Sequence, residues 1–264
     1  MRALLCLLLL AALPLQAAER VVSLAPSMNE MMLELGAGER LVGILDGGLD
    51  LPELRALPRL GRSGQVEMET LIALQPDLVL LWPDSLGRDQ REQLQRLGIE
   101  LFWGQPRRLD ELPALARALG ARVGHRASAE RLAAAVEERL RRLRQRYAGA
   151  PPLQVFYQVW DAPLYTLGGE QIISDALRVC GARNLFEELS LAAPQVSLEA
   201  VLARDPQVIL VSEAHLLPAW QRWPQLRAVR DGHVWAVPDR GLERPSLQML
   251  DATEALCALL DRAR

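Results

Sequence analysis

Lysine is missing from this chain of 264 residues, so all 30 of its basic residues other than histidine are arginine. The formal net charge at pH 7 is −3. A chain without a basic excess lacks the electrostatic footprint of a nucleic-acid-binding protein, and we therefore expect no nucleic-acid partner. Each cationic contact uses a planar guanidinium, which suits bidentate pairing with carboxylates.

Long hydrophobic runs are also missing, apart from one at the N-terminus that is too short for a membrane span. Arg2 precedes an apolar stretch over residues 3–13, and the small residues Ala17 and Ala18 close the segment. This order is typical of a secretory signal peptide, and we expect residues 1–18 to be removed on export. A membrane anchor is the alternative, but no stop-transfer pattern follows the run.

Cysteine is scarce: the chain has three, and export would remove Cys6 with the signal peptide. The remaining pair, Cys180 and Cys257, would then lie in an oxidising compartment, which favours one disulfide between the second half of the chain and its last helix. In the chain-entropy model, such a disulfide stabilises the folded protein relative to the unfolded chain by roughly 4 kcal/mol. Two buried free thiols are the alternative, because the sequence does not give the distance between the cysteines.

Catalytic motifs are missing as well, and we expect a protein that is not an enzyme. The segment around Ser63 lacks the glycine that a nucleophile elbow requires two places after the serine, and no glycine-rich loop has phosphate-binding spacing. The three histidines have no second ligand at zinc spacing. Only His215 is expected to face a cleft, as a candidate axial ligand for a metal centre in a bound molecule. A secreted hydrolase using Ser27 or Ser63 with His215 has no motif support.

One segment of the chain is present twice. Residues 68–81 and 198–211 both place a glutamate at the start of a helical turn, a proline seven positions later and an apolar run after the proline. Each copy therefore predicts a helix, a stop and a buried strand. The copies lie much farther apart than one solenoid repeat, so they indicate two similar lobes with a cleft between them.

Strands alternate with helices on both sides of a long amphipathic helix predicted for residues 128–147. That order favours an α/β fold of two similar lobes with mainly parallel sheets joined by one long helix. We expect an N-terminal lobe over residues 19–124, a bridging helix over 125–150 and a C-terminal lobe over 151–264. The alternative is that the long helix lies on one lobe only. Ser27 is expected to cap the first helix.

Aromatic residues make up only 5% of the chain, yet several fall where predicted strands end. Tyr157, Trp160 and Tyr165 follow the first strand of the second lobe, and Trp82 follows a strand of the first. Ligands of parallel sheets bind beyond the carboxyl ends of the strands, and rings there suit a flat, largely apolar ligand. Ordinary loop packing is the alternative, also for Trp220 after another strand.

Non-aromatic residues after the predicted strands add further candidate contacts. Glu243 and Arg244 follow the last predicted strand and are candidates for a charged contact at the mouth of the cleft, with an exposed ion pair as the alternative. Pro26 and Ser27 follow the first strand, and are expected to contact polar groups at the periphery of the ligand.

The repeated segments place one glutamate each, Glu69 and Glu199, in the first turn of a helix. A carboxylate there is stabilised by the helix dipole by roughly 0.3–1 kcal/mol, which is one explanation. The other is docking, because two equivalent carboxylates on a pseudo-twofold body suit two arginines of a twofold partner.

Five segments of the chain carry a resemblance to a known family: residues 22–27, 69–81, 179–186, 194–204 and 243–244. Together they resemble the periplasmic cobalamin-binding proteins of bacterial ABC importers, within the helical-backbone family of metal- and corrinoid-binding proteins. The resemblance covers nearly the whole mature chain. It implies a periplasmic monomer with two α/β lobes, a bridging helix and a corrinoid held between the lobes.

The resemblance also implies roles for individual residues. Glu69 and Glu199 would meet arginines of the permease dimer in the inner membrane, and Cys180 and Cys257 would form the disulfide. No catalytic residue and no resident cofactor are implied, because cobalamin is the transported ligand. The corrin face would rest on the strand-end aromatic residues described above.

The chain departs from the family's pocket at three places. Gly48, Ser63 and residues 240–244 stand where the family has a tyrosine, a tryptophan and an Asp-Trp-Phe-Glu-Arg loop. Trp160 is absent from that pattern and is expected to replace one of the lost rings. The expected ligand is therefore cobalamin or a related corrinoid, with haem or a ferric siderophore as the alternative.

Overall fold

The computed structural model describes residues 17–47, 50–149 and 151–264. Within these ranges the chain forms two α/β lobes, and each lobe contains a parallel sheet of four strands. Residues 1–16 of the expected signal peptide and the candidate ligand residue Gly48 lie outside the described residues. In the described part of the chain, no helix has both the length and the hydropathy of a membrane span.

The N-terminal lobe consists, in chain order, of β1 (Val21–Ser23), α1 (Pro26–Glu34), β2 (Leu41–Ile44), β3 (Gly61–Arg62), β4 (Gln65–Val66), α2 (Met68–Ala73), β5 (Leu78–Leu81), α3 (Arg88–Arg96), β6 (Glu100–Trp103) and α4 (Glu111–Arg122). Strands β2, β1, β5 and β6 lie side by side in that order, and β3 pairs with β4 as a hairpin. The apolar run of β5 is buried on both faces: Leu78 and Leu80 contact the core shared with the other lobe, and Val79 contacts an outer cluster.

A long helix, α5 (Arg126–Tyr147), follows the first lobe. Its apolar side is buried in the core that both lobes share, through Ala129, Val136, Leu140, Leu143 and Tyr147. Arg144 pairs with Asp110 of the first lobe at 2.7 Å, and Arg139 pairs with Glu254 of the second at 2.9 Å. The helix therefore contacts both lobes and joins them.

The C-terminal lobe consists of β7 (Leu153–Gln158), β8 (Trp160–Asp161), β9 (Leu164–Tyr165), α6 (Ile172–Val179), β10 (Ala182–Asn184), α7 (Leu198–Arg204), β11 (Val208–Val211), α8 (Leu217–Trp220), α9 (Arg227–Arg230), β12 (Val234–Ala236) and α10 (Met249–Leu260). Its sheet has the order β10, β7, β11, β12, which is the order of the first lobe's sheet with equivalent strands. The predicted plan of two similar lobes, mainly parallel sheets and one long connecting helix is confirmed.

The internal repeat extends to the backbone conformation. Its two copies form α2 with β5 and α7 with β11, at equivalent places in the two sheets. Gln75 and Asp205, each directly before the proline of its copy, have φ angles of 47° and 42°. Residues other than glycine rarely adopt positive φ, so the same unusual conformation at the same place supports duplication of one structural unit.

The predicted cap of the first helix is wrong. Helix α1 begins at Pro26, its N-cap is Ala25, and no side chain caps it. Proline is tolerated in a first turn because the N–H group that it lacks would have no partner inside the helix there. Ser27 therefore lies within the first turn, where it is buried.

The predicted disulfide is confirmed. Cys180, at the end of α6, is bonded to Cys257 of α10, and their Cα atoms lie 4.8 Å apart. Both residues are buried. The bond fixes the last helix to the end of α6 across a sequence separation of 77 residues.

Candidate ligand-binding cleft

Two adjoining cavities lie at the carboxyl ends of the sheet strands, one in the C-terminal lobe and one between the two lobes. The larger, of about 360 Å³, is bounded by the end of β7, the β8–β9 hairpin and the loop after β11. The smaller, of about 260 Å³, is bounded by residues of both lobes. Gln171, Ala192 and Glu243 line both cavities, which therefore form one cleft. A position at the carboxyl ends of parallel strands is where α/β sheets bind their ligands.

Tyr157, at the end of β7, lies at the floor of the larger cavity. Its side chain is buried, and its hydroxyl donates a hydrogen bond of 3.4 Å to Oε1 of Glu243. Burial raises the pKa of Tyr157 well above its usual value, and the neighbouring carboxylate of Glu243 raises it further. The phenol therefore stays protonated and acts as a hydrogen-bond donor to Glu243.

Trp160 stands at the mouth of the larger cavity. Its backbone pairs with that of Tyr165 in the β8–β9 hairpin, and 56% of the residue is exposed. An exposed indole beside an apolar cavity is a surface that a flat ligand can cover. Tyr165 itself is half-buried, bridges to the backbone of Gln195 and does not line either cavity.

The first lobe contributes the opposite wall of the smaller cavity through Trp82, Gln105, Pro106 and Arg107. The Trp82 backbone N–H donates to Oγ of Ser85 at 3.0 Å, and the Ser85 hydroxyl donates to the carbonyl of Leu24 at 3.0 Å. Ser85 is buried. These bonds tie the loop after β5 to the end of β1, so Trp82 is presented from a fixed backbone.

A loop of the second lobe forms the rim between the cavities and was not predicted from the sequence. Leu191, which is 69% exposed, and Ala192 both line the cleft. A Cβ atom on Gly168 would lie 1.9 Å from the carbonyl oxygen of Leu191, and one on Gly169 would lie 2.0 Å from that of Glu187. The glycine pair is thus the sequence signal for this loop, because only glycines allow the two backbones to approach so closely.

Charged pairs cross from one lobe to the other at the cleft. Arg107 and Glu170 form an ion pair with 2.7 Å between Nη1 and Oε2. Both residues line the smaller cavity, and each side chain is about half exposed. Arg244, a predicted ligand contact, lies 2.8 Å from the buried carboxylate of Glu30 on α1. The guanidinium of Arg244 is therefore already paired within the protein.

The other predicted ligand residues lie away from the two cavities. Pro26 is half-buried and Ser27 buried in the first turn of α1, and Ser63 is exposed at the turn between β3 and β4. His215 is exposed in a short 3₁₀ helix, whereas its neighbours Ser212 and Glu213 line the larger cavity. These four roles stay predictions. Across the described ranges, no three His, Cys, Asp or Glu side chains converge in a way that would hold a metal ion.

Trp220 belongs to the hydrophobic core instead of the cleft. Its ring lies edge-on to Phe156 with the centroids 5.5 Å apart, and its indole N–H donates to Oε1 of Gln158 at 2.7 Å. Gln158 is the last residue of β7, so this pair fixes the strand end that carries Tyr157.

Glu69 and Glu199 occupy equivalent, exposed positions in the first turns of α2 and α7. Both helices pack on the sheet faces that point away from the shared core, through Leu71 and Val201. Neither carboxylate forms an ion pair with another described residue. The two acidic groups thus remain available to a partner.

Similar proteins are found by sequence and by structure. Residues 21–240 match the family described as "Periplasmic binding protein". The chain is 33% identical over 252 residues to the vitamin B12-binding protein of Vibrio cholerae, an alignment that covers 94% of this chain and 91% of that protein. It is 35% identical over 207 residues to the vitamin B12-binding protein of Yersinia pestis, covering 78% and 74%.

Solved structures give the same picture of the fold. The periplasmic vitamin B12 binding protein of Vibrio cholerae superimposes with a TM-score of 0.84 at 33% identity, over 93% of this chain and 98% of that one. The periplasmic haem-binding protein of Vibrio cholerae superimposes with a TM-score of 0.80 at 20% identity, over 91% and 98%. The second likeness is one of fold alone.

Proposed function

The chain belongs to the periplasmic binding protein family, and from that premise we propose that it captures cobalamin or a related corrinoid in its cleft and delivers it to an ABC importer. The observation that carries the proposal is a single cleft lined by aromatic side chains from both lobes, Trp82 from the first and Tyr157 and Trp160 from the second. The relatives with 33–35% identity, which are named as vitamin B12-binding proteins, support the same ligand.

The chemistry of a corrinoid matches this cleft. Its ring system offers broad apolar faces, which the exposed indole of Trp160 can cover, and its edge carries amides. Gln105, Gln171 and Glu243 line the cleft and offer hydrogen-bonding groups to those amides. The cavities are open, so a ligand larger than their volume can project beyond the rim.

Haem is supported less well by the residues that line the cleft. An axial ligand for haem iron is usually a histidine, a cysteine, a methionine or a tyrosinate. His215 does not line either cavity, and burial raises the pKa of Tyr157, which disfavours the phenolate that would bind iron. A corrinoid needs no such ligand from the protein.

The delivery step concerns Glu69 and Glu199. We infer that these exposed carboxylates dock the monomeric, loaded protein onto arginines of a permease dimer, one lobe on each subunit. Transport requires no covalent chemistry, so the protein acts as a carrier and not as an enzyme. Residues 1–18 are expected to direct export and then to be removed.

Isothermal titration of the purified mature protein with cyanocobalamin, cobinamide, haem and a ferric siderophore tests the ligand class. We expect both corrinoids to bind, with quenching of tryptophan fluorescence that is reduced in Trp160→Phe. Binding of cobinamide alone would limit the ligand to incomplete corrinoids. Binding of haem or the siderophore without either corrinoid would overturn the proposal.

A further inference from the structure

Helix α1 of the first lobe reaches across to the C-terminal lobe through a buried carboxylate. Glu30 is only 2% exposed. Its Oε2 accepts a hydrogen bond of 3.0 Å from the hydroxyl of Ser246, and its Oε1 lies 2.8 Å from Nε of Arg244. The second contact is an ion pair whose N–H is not aligned for a hydrogen bond. Burial raises the pKa of Glu30, and the contacts with Arg244 and Ser246 oppose that rise.

A second carboxylate lies one turn further along α1 and meets the next part of the same segment. The carboxylate of Glu34 accepts hydrogen bonds from the backbone N–H groups of Leu247, at 3.2 Å, and Gln248, at 3.0 Å. These N–H groups precede α10 and have no partner inside that helix. A side chain of the first lobe therefore caps a helix of the second. We refer to Glu30, Glu34 and residues 244–248 as the clasp.

The clasp is continuous with the wall of the cleft. Glu243 and Pro245, on either side of Arg244, both line the smaller cavity, and Glu243 also accepts the hydrogen bond from Tyr157. Any shift of residues 244–248 relative to α1 must therefore move groups that line the cleft.

We propose that Glu30 and Glu34 are positioning residues for ligand binding: from the first lobe they fix residues 244–248 of the second, and so set the width of the cleft and the place of Glu243 in it. The choice of cobalamin as probe rests on the proposed function. The clasp itself can be measured without a ligand.

The charges around Glu34 predict how the clasp responds to pH. Glu30 on α1 and Asp251 on α10 are acidic groups that face Glu34. Each is paired with an arginine: Glu30 with Arg244, and Asp251 with Arg139 of α5. Burial, with these like charges, raises the pKa of Glu34 to about 7. The closed clasp thus binds a proton more tightly than an open one, so opening becomes easier by about tenfold between pH 6 and pH 8.

Hydrogen exchange of the ligand-free protein tests the contacts. We expect Glu34→Ala to lower the protection factors of the Leu247 and Gln248 amides at least tenfold, because it removes their acceptor. Glu34→Gln removes the charge and keeps one of the two acceptor oxygens, because the amide nitrogen that replaces the other cannot accept a hydrogen bond. Protection of one of the two amides should therefore persist, with a weaker pH dependence between pH 6 and 8. Glu53→Ala, an exposed carboxylate of the same lobe, is the matched control and should change neither.

Two further measurements test the effect on the cleft. Titration with cyanocobalamin should give at least a tenfold weaker affinity for Glu34→Ala and for Glu30→Ala. At pH 6, Glu34→Gln should lose less affinity than Glu34→Ala, and Glu53→Ala should stay within about twofold of the wild type. The distance between nitroxide labels at Arg96 and Arg222, one on each lobe, should broaden in Glu34→Ala without ligand.

The outcomes separate the two proposals. Wild-type affinity and an unchanged label distance in Glu34→Ala, together with lost amide protection, would reduce the clasp to a local helix cap and overturn the positioning role. Failure of the wild type to bind any corrinoid would overturn the proposed function, and the label distance would still decide whether the clasp sets the spacing of the lobes.

Discussion

Tyr157 and Glu243 are joined by a hydrogen bond of 3.4 Å that connects the end of strand β7 to the short 3₁₀ helix over residues 240–243. Strand β7 belongs to the rigid sheet, whereas the 3₁₀ helix leads directly into the clasp. The pair therefore links two of the elements that line the larger cavity.

This link gives a first prediction. Tyr157→Phe should lower the free energy of unfolding by about 1 kcal/mol, the usual value of one hydrogen bond, and should weaken cobalamin binding because Glu243 loses its partner. Urea unfolding and titration measure the two effects. Tyr147→Phe is the matched control, since the Tyr147 hydroxyl donates to Asp261 at 3.0 Å away from the cleft. Equal losses of affinity in both variants would contradict a local role for Tyr157.

A second prediction concerns the glycine pair beneath the rim loop. Gly168→Ala should destabilise the protein by more than about 2 kcal/mol and weaken ligand binding, because the new methyl group would overlap the backbone of Leu191 and displace the loop. Gly87→Ala provides the comparison, since its Cβ would lie 3.6 Å from the nearest side-chain atom at an exposed helix start. Thermal melts and titration of both variants give the answer. A Gly168→Ala protein with normal affinity would show that the rim loop does not touch the ligand.

Much of the architecture could be predicted from local patterns in the sequence. The buried strands β5 and β11 consist of short, uninterrupted apolar runs that follow a proline, and this length and flank favour a buried strand. The alternation of strands with helices predicted that the sheets are mainly parallel, but not the order of their strands. Helix α4 was missed, although Pro113 in its first turn is compatible with a helix start.

The site was harder to predict, because its members meet only through long-range contacts. Tyr157, Trp160 and Trp82 could be identified because strand ends were predictable. Leu191 lies in an irregular loop whose position depends on two glycines more than twenty residues earlier, and no local pattern indicates its exposure. Arg244 was expected to contact the ligand or to form an exposed ion pair with its neighbour Glu243, whereas its partner Glu30 lies 214 positions away in sequence.

A third prediction concerns the disulfide. Cys180→Ala with Cys257→Ala should lower the free energy of unfolding by about 4 kcal/mol, because the unfolded chain regains the freedom of a long loop. Affinity for cobalamin at 25 °C should stay within about twofold, since neither residue lines the cleft. Guanidinium unfolding with and without reductant measures the first effect and titration the second. Two free thiols in the unreduced, unfolded wild type would contradict the bond.

A fourth prediction follows from the raised pKa of Glu34. The carboxyl group has a pKa of about 7 in the folded protein and 4.5 as its ordinary value, so between these pH values the folded state holds a proton that the unfolded state releases. Stability from this group is therefore complete below about pH 4.5 and is lost as the pH rises to about 7, by about 3 kcal/mol at most. Urea unfolding from pH 5 to 8 should show this decline in the wild type and a smaller one in Glu34→Gln. Parallel curves for the two proteins would disprove the assignment.

The last prediction concerns delivery to the importer. Glu69→Arg with Glu199→Arg should abolish transport into cells or vesicles that contain the permease, because each carboxylate would be replaced by a cation facing an arginine of the partner. Cobalamin affinity should not change, since both residues lie on the outer helices α2 and α7, away from the cleft. The double variant Glu53→Arg with Asp89→Arg makes the same change in net charge at two other exposed positions and should still support uptake. Because one lobe is expected to dock on each permease subunit, either single reversal should reduce uptake only in part. Normal uptake by the Glu69→Arg, Glu199→Arg protein would refute the docking role while leaving the ligand assignment intact.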